Sequence, residues 1–404
     1  MDASAIYAQI ASDSTITNEG SMADTAAYAP GLAGVPAARS GVCYLDGKSG
    51  KLQYRGYSIE SLAETCTYEE VIRLLLFGTL PNAAELSEFK ARLANERRLK
   101  FRIVDVLKHL PESGHPMDAL TAAVATMGMF YPGDHVEDLS FRRLSAVRLV
   151  AKVPTVVAAW HRIRQGDEPI QPRRDLNHAA NFLYMLTGET PTELSARVFD
   201  VALILHAEHS MNASTFAARV TGSTLADPYA VVASAIGALA GPLHGGANER
   251  VLEMLRSIED DSDEGIRSWA TDRLARKEKI SGFGHREYKV KDPRATILQN
   301  LATSLFDKHG HTPVYGTALR LEQQMRELVG HKGIFPNVDF YSGIVYEKLG
   351  IPTDLFTPVF AIARVSGWLA HLLEQLDDNR IFRPSQIWVG QTDRALQPIE
   401  TRDA

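Results

Sequence analysis

The segment Tyr229–Ala240 carries no charged side chain and is apolar or small on every face. Asp227-Pro228 ahead of it supplies a capping carboxylate and an N1 proline, and Gly241-Pro242 stops it. A helix without a polar face is stable only when neighbours cover it all round. The chain must therefore wrap this helix in other elements or bury it at a subunit interface. The rest of the sequence supplies the wrapping. Thr190-Pro191-Thr192-Glu193 sets a capping oxygen, an N1 proline and an N3 glutamate ahead of Leu194, Val198, Val201, Ala202 and Leu205, which repeat at helical spacing. Thr357-Pro358 opens a helix to about Leu376 with Val359, Ile362, Val365, Leu369, Leu372 and Leu376 on one face. Pro154 falls inside another helical pattern and is expected to kink or divide it. The segment from Gln165 to Arg174 reads as a surface loop. The exception to the helical period comes early. Val42–Leu45 and Lys51–Tyr54 flank Asp46-Gly47 and Ser49-Gly50 and read as a β-hairpin. The expected fold is all-α with a short N-terminal β-hairpin.

At 404 residues the chain suits two lobes of ordinary size, and 45% hydrophobic with 23% charged residues is enough to form a core without staples. Cys43 and Cys66 make no CxxC pair and no zinc spacing, which fits a reducing compartment. A net charge of −6 speaks against nucleic acid as a partner. The longest apolar stretch, near Val231–Ala240, falls well short of the roughly 18 residues of a membrane span. The first 38 residues lack Lys and Arg and include Asp2, Asp13, Glu19 and Asp24, which fits neither a secretory nor a mitochondrial leader. A cytoplasmic protein with a disordered tail over residues 1–29 is expected.

Five segments carry possible chemistry. In Gly241-Pro242-Leu243-His244-Gly245-Gly246-Ala247-Asn248-Glu249 a buried helix ends, a histidine follows, and a new helix begins near Ala247. The positive end of that helix favours a neutral His244 ring, which can donate a hydrogen bond to developing negative charge. A purely structural corner histidine fits equally well. Ser281-Gly282-Phe283-Gly284-His285-Arg286 is followed by Lys289, Lys291, Asp292, Pro293 and Arg294. Glycines that expose backbone N–H groups, with cations close behind, suit an anionic ligand. A solvated basic loop is the alternative. In Phe335-Pro336-Asn337-Val338-Asp339-Phe340-Tyr341-Ser342-Gly343 the carboxylate of Asp339 sits among apolar neighbours, which raises its pKa toward that of a useful base. Taken alone, the segment reads more readily as one in which Asp339 caps the helix beginning near Tyr341. His206 and His209 have a spacing that could serve a metal, but no HExxH is formed, and they read better as rings lining a polar pocket. Arg364 lies in a strongly apolar helix, on one face with Phe360, Gly367, Trp368 and His371. It requires a carboxylate partner, from protein or substrate.

Taken together and in order, GPLHGGANE, GFGHR with KDPRA, and FPNVDFYSG resemble the citrate synthase family. The similarity extends from Pro30-Gly31-Leu32 and Leu52-Gln53-Tyr54-Arg55-Gly56 to Arg383-Pro384. The resemblance implies a two-domain fold, with a large helical domain over 30–245 and 351–404 and a small one over 246–350. It implies condensation of acetyl-CoA with oxaloacetate, acetyl-CoA being a substrate and no cofactor or metal being required. By the same resemblance His244 hydrogen-bonds the thioester oxygen, Asp339 removes the methyl proton and His285 polarises the ketone. His209, Arg294, Arg364 and Arg383 hold oxaloacetate or citrate, and Gly282, Phe283 and Gly284 contact coenzyme A. A homodimer or larger assembly of dimers is implied, with a site completed by Arg383 of the neighbouring subunit. No N-terminal domain of the NADH-inhibited kind is evident. Many relatives carry a second arginine two residues after the one matched by Arg383, where this chain has Ser385. Other readings are 2-methylcitrate synthesis from propionyl-CoA, a non-catalytic CoA-binding or assembly paralogue, and, more distantly, a metallohydrolase using His206 and His209.

Overall fold

The computed structural model describes residues 28–133 and 136–402. The tail expected over 1–29 lies, up to residue 27, outside the described residues. The chain divides into a short N-terminal unit, Met1–Arg39, and a compact unit, Ser40–Ala404. In the first, the described residues form a 3₁₀ turn at Pro30–Leu32.

The second unit opens with β1 (Cys43–Asp46), β2 (Lys51–Tyr54) and β3 (Tyr57–Ser58), an antiparallel sheet in that order. Cys43 pairs with Tyr54 and Asp46 with Lys51, so the expected hairpin is present, extended by a third short strand. Sixteen α-helices follow among the described residues. They are α1 (Ile59–Thr65), α2 (Tyr68–Phe77), α3 (Ala83–Glu96), α4 (Phe101–Lys108), α5 (Pro116–Phe130) and α6 (Leu139–Ile163). Next come α7 (His178–Thr187), α8 (Glu193–His206), α9 (Ala213–Ser223), α10 (Pro228–Ala240) and α11 (Ala247–Arg256). The last are α12 (Asp263–Ala275), α13 (Pro293–His309), α14 (Pro313–Val329), α15 (Val338–Lys348) and α16 (Phe356–Asp377).

Helix α10 begins as read, with the Asp227 side chain accepting the Tyr229 and Ala230 N–H groups. It packs against α5, α6, α9 and α16, so the apolar helix finds its cover mostly within its own chain. Gly237 and Ala240 remain exposed. Helix α16 is longer and just as apolar. With its leading turn it spans Thr353–Asp377, long and apolar enough to cross a membrane by composition, yet 94% of its apolar window is buried inside the protein. It is therefore a core helix, and the longest apolar segment is here rather than at 231–240. Helices α11 to α15 pack chiefly on one another, α13 on α15, α12 on α14 and α11 on α15. Helix α13 also meets α1 and α8, and α11 meets α16.

Three local expectations shift. Thr192, not Thr190, caps α8, its side chain accepting the Ser195 N–H. Helix α16 starts at Phe356, led by a 3₁₀ turn. Helix α6 runs unbroken through Pro154. Proline removes one N–H there, but Val150, Val153, Val156 and Val157 are all buried, and packing of that kind outweighs one missing hydrogen bond.

Candidate active site

His244 stands in the turn between α10 and α11. Its Nε2 accepts the Ser214 N–H at 3.3 Å and lies 2.8 Å from the Ser214 Oγ. A backbone N–H can only donate, so Nε2 carries the lone pair and the proton sits on Nδ1. The Ser214 hydroxyl is itself fixed by the Trp368 indole N–H at 3.0 Å. The His244 pKa is lowered to about 4, first by burial and then by the Arg364 charge. Burial thus keeps the ring neutral.

His285 reaches a matching state by another route. Its Nδ1 accepts the N–H groups of Glu287 at 3.0 Å and Tyr288 at 3.3 Å, which places the proton on Nε2. Burial and the nearby Arg294 lower its pKa to about 4. The loop ahead of it is locked to the third motif. Phe283 and Pro336 form an antiparallel bridge, the Gly284 N–H donates to the Phe335 carbonyl at 2.9 Å, and the Asn337 N–H donates to the Gly282 carbonyl at 2.9 Å. Gly282 and Gly284 have φ of 80° and 79°, a region that side chains disfavour. The expectation that both glycines offer N–H groups to an anion is corrected at Gly284, while the Gly282 N–H meets no acceptor among the described residues. The Phe283 and Gly284 N–H groups are spent on Ile280 and Phe335.

Asn337 caps α15, and its side chain accepts the Asp339 N–H at 3.0 Å. The capping reading of Asp339 is thereby removed, because its carboxylate is not used for that purpose. Burial raises the Asp339 pKa, against the opposing pull of Arg294. Arg294, 2% exposed, is gripped by Asp292 through Nε at 3.0 Å and Nη2 at 2.8 Å. Asp292 also receives the Val338 N–H at 3.2 Å, so one carboxylate binds the starts of α13 and α15 together. Arg364, also 2% exposed, sends Nε to the His206 carbonyl at 2.7 Å. His209 Nε2 lies 3.3 Å from the Tyr288 hydroxyl, and its ring is 5.2 Å from that of His285. Burial, aided by Arg294, holds its pKa well below the usual histidine range.

These groups share two charged neighbours. The field of Arg294 bears on His209, His285 and Asp339. That of Arg364 bears on His209, His244 and Asp339. The fold therefore gathers His209, His244, His285, Arg294, Asp339 and Arg364 into one cluster. Arg383 is not part of it. It stands exposed beyond α16, with no hydrogen bond or ion pair to a described residue. Of the remaining cations, Lys291 pairs with Glu322 at 2.5 Å, while Arg286 and Lys289 are exposed. His206 sits beside its Ala202 carbonyl, 2.7 Å from Nδ1, as a helix-end ring.

Several contributors were not singled out from sequence: Ser214 and Trp368 behind His244, Tyr288 beside His209, and Asp292 as the partner of Arg294. Asp292 alone carried a local signal, as the acid of an Asp-Pro helix start two residues before an arginine. The cluster presents neutral histidine donors, a carboxylate of raised pKa, and buried guanidinium charge. That combination can deprotonate a weak carbon acid and stabilise the resulting oxyanion beside a bound carboxylate.

Comparison with known proteins agrees with this chemistry. The family described as "Citrate synthase, C-terminal domain" matches residues 31–385. The chain belongs to the citrate synthase family. It is 56% identical over 381 residues to a citrate synthase of Synechocystis, covering 94% of this chain and 96% of that one. It is 40% identical to a 2-methylcitrate synthase of Shewanella oneidensis, with 92% and 97% covered. Among solved structures, the ternary complex of carboxymethyl coenzyme A and oxaloacetate with citrate synthase from Thermoplasma acidophilum superposes with a TM-score of 0.86 at 32% identity. It covers 92% of this chain and 99% of that one. The expected all-α citrate synthase fold is the observed one.

Proposed function

We infer that this chain condenses acetyl-CoA with oxaloacetate and water to give citrate and CoA. The observation that carries the reading is the pair of fixed tautomers, Nδ1–H on His244 and Nε2–H on His285, in one cluster with Asp339. Asp339 takes a methyl proton from the thioester while His244 donates to the thioester oxygen. One such donor is typically worth about 3–4 kcal/mol in the transition state. The enol carbon attacks the oxaloacetate ketone, which His285 polarises through Nε2–H and which becomes the citrate hydroxyl. Water then cleaves the thioester and CoA leaves. Arg364, His209 and the remaining donor capacity of Arg294 hold the substrate carboxylates. The wall at Gly282, Phe283 and Gly284 contacts CoA through its surface, the Phe283 carbonyl and the Gly282 N–H, since the other two N–H groups are taken and both glycine carbonyls accept from Asn337. No metal or redox cofactor enters these steps. We further propose a large domain over 30–245 and 351–404 and a small domain over 246–350, a homodimer or assembly of dimers, and a cytoplasmic location.

The test is steady-state release of CoA thiol with acetyl-CoA and propionyl-CoA against oxaloacetate. One methylene is worth about 1–3 kcal/mol in a pocket, so a preference of tenfold or more for acetyl-CoA is expected. The reverse preference would make the chain a 2-methylcitrate synthase. Asp339→Asn keeps the side chain's shape and removes its basicity. It is expected to lower kcat by about 10²–10⁴-fold with an unchanged melting temperature. Turnover within tenfold of wild type would overturn Asp339 as the base.

A further inference from the structure

Arg364, Gly367 and His371 lie along one face of α16, three and four residues apart. The stretch that follows α8, residues 207–209, runs across that face. A Cβ on Gly367 would overlap the Ala207 carbonyl oxygen and the Glu208 carboxylate, so the glycine forms a notch that admits Glu208 between Arg364 and His371. Glu208 is fully buried. Its Oε1 accepts from His371 Nε2 at 3.1 Å, and its Oε2 meets no donor among the described residues. His371 Nδ1 lies 3.1 Å from Arg219 Nε and 2.9 Å from Arg219 Nη2. A guanidinium only donates, so Nδ1 is the acceptor and the ring proton is fixed on Nε2, toward Glu208. Arg219 is anchored in turn by Gln375 at 3.0 Å and by Glu374, and Glu374 receives the Gly41 N–H at 2.8 Å.

Arg364 has no hydrogen bond or ion pair with Glu208, although that carboxylate is the anion whose field most favours its charge. A buried guanidinium with a carboxylate this close ordinarily pairs with it. Here the carboxylate is turned to a histidine instead. We propose that His371 is a positioning residue for substrate binding: by holding Glu208, it keeps that carboxylate as a counter-charge near Arg364 while leaving the terminal N–H groups of Arg364 free for a substrate carboxylate. The proposal rests on the reading of Arg364 as an oxaloacetate ligand.

The test compares His371→Leu, Glu208→Gln and the double variant by oxaloacetate KM, acetyl-CoA KM, kcat and melting temperature. His371→Leu releases Glu208 to pair with Arg364. Oxaloacetate KM is expected to rise about 10–100-fold, the weight of one hydrogen bond to a charged group, with acetyl-CoA KM unchanged. Adding Glu208→Gln removes the competing charge and should restore most of the oxaloacetate KM. A merely structural role would lower kcat and melting temperature through the folded fraction and leave oxaloacetate KM where it was. An oxaloacetate KM within threefold of wild type in His371→Leu, or no recovery in the double variant, overturns the proposal. Should His371→Leu not fold, His371→Gln decides. Its amide N–H still reaches Glu208, so oxaloacetate KM stays near wild type, and a tenfold rise overturns the idea. Wild-type protein that fails to consume oxaloacetate would instead overturn the functional reading itself.

Discussion

His244 and His285 are held neutral by burial and by backbone donors on the nitrogen that must stay bare. Both have pKa values near 4, against an ordinary 6.5. The unfolded chain therefore binds protons between about pH 6.5 and 4 that the folded site refuses. By linkage, their contribution to stability is complete above pH 6.5 and is lost as pH falls toward 4. Asp339 works in the opposite sense, since its raised pKa makes it a base that is protonated earlier than an ordinary carboxylate. The acid limb of kcat/KM is accordingly expected to follow Asp339, with an apparent pKa above 3.8 and no separate histidine inflection near 6.5. A pH–rate profile paired with melting temperatures checks both statements. Loss of activity centred on 6.5 would show that a site histidine titrates normally. At this scale the sequence disclosed the reacting groups but not their settings. Asp339 was visible as a lone carboxylate among apolar residues, yet whether it capped the helix depended on Asn337 two residues away. Arg364 visibly needed a partner, but Glu208 lies over 150 residues earlier in the chain, and no local pattern announces such a neighbour.

The hairpin shows how an element far from the motifs supports one of them. Lys289 donates its N–H to the Gly47 carbonyl at 2.9 Å, and a Cβ on Gly47 would overlap the Glu287 carbonyl. The turn between β1 and β2 therefore presses on the backbone that supplies both donors to His285 Nδ1. Gly47→Ala should displace those donors and lower kcat about tenfold or more, since small misplacements of catalytic groups are expensive. Gly50, in the same turn, has φ of 69°, and a Cβ there would meet the Val290 Cγ2 at 2.8 Å and no backbone atom nearer than the Lys291 carbonyl oxygen at 3.9 Å. Gly50→Ala should cost about 1–2 kcal/mol of stability and leave kcat unchanged. Kinetics alongside chemical denaturation separate the two. Equal effects of both on kcat would show that the turn acts as a whole and not through the Glu287 contact. The hairpin itself was legible, because Asp-Gly and Ser-Gly between alternating residues are strong turn signals. Its contact with the catalytic loop was not, because the contact depends on what a missing side chain allows. Helix existence was likewise clear from capping and period, whereas the starts of α8 and α16 moved by one or two residues. At α8 two threonine oxygens could act as cap and Thr192 does, whereas α16 starts without a side-chain cap, continuing the 3₁₀ turn ahead of it.

Across the whole molecule, the stretch beyond α16 carries apolar side chains with nothing to cover them: Ile387, Trp388 and Val389 are 62%, 63% and 88% exposed. Apolar groups clustered in this way on one segment mark a contact surface. Arg383 lies four residues before them, exposed and outside the cluster that its proposed role requires. Both facts fit one arrangement, in which this segment lies on a second copy and Arg383 enters that copy's site. An arginine clamps a carboxylate with two parallel hydrogen bonds, so its loss should weaken oxaloacetate binding strongly. On the proposed dimer, Arg383→Ala and Asp339→Asn are therefore each expected to give a poor enzyme. Mixing them by reversible dissociation distinguishes the geometry. With Arg383 acting across the interface, each mixed dimer holds one site bearing both defects and one site bearing neither, and activity recovers toward half of wild type. With Arg383 acting in its own chain, every site keeps one defect and nothing recovers. Native mass spectrometry confirms that mixed dimers have formed. Their presence without recovered activity would refute the shared site and leave the exposed apolar segment to some other contact.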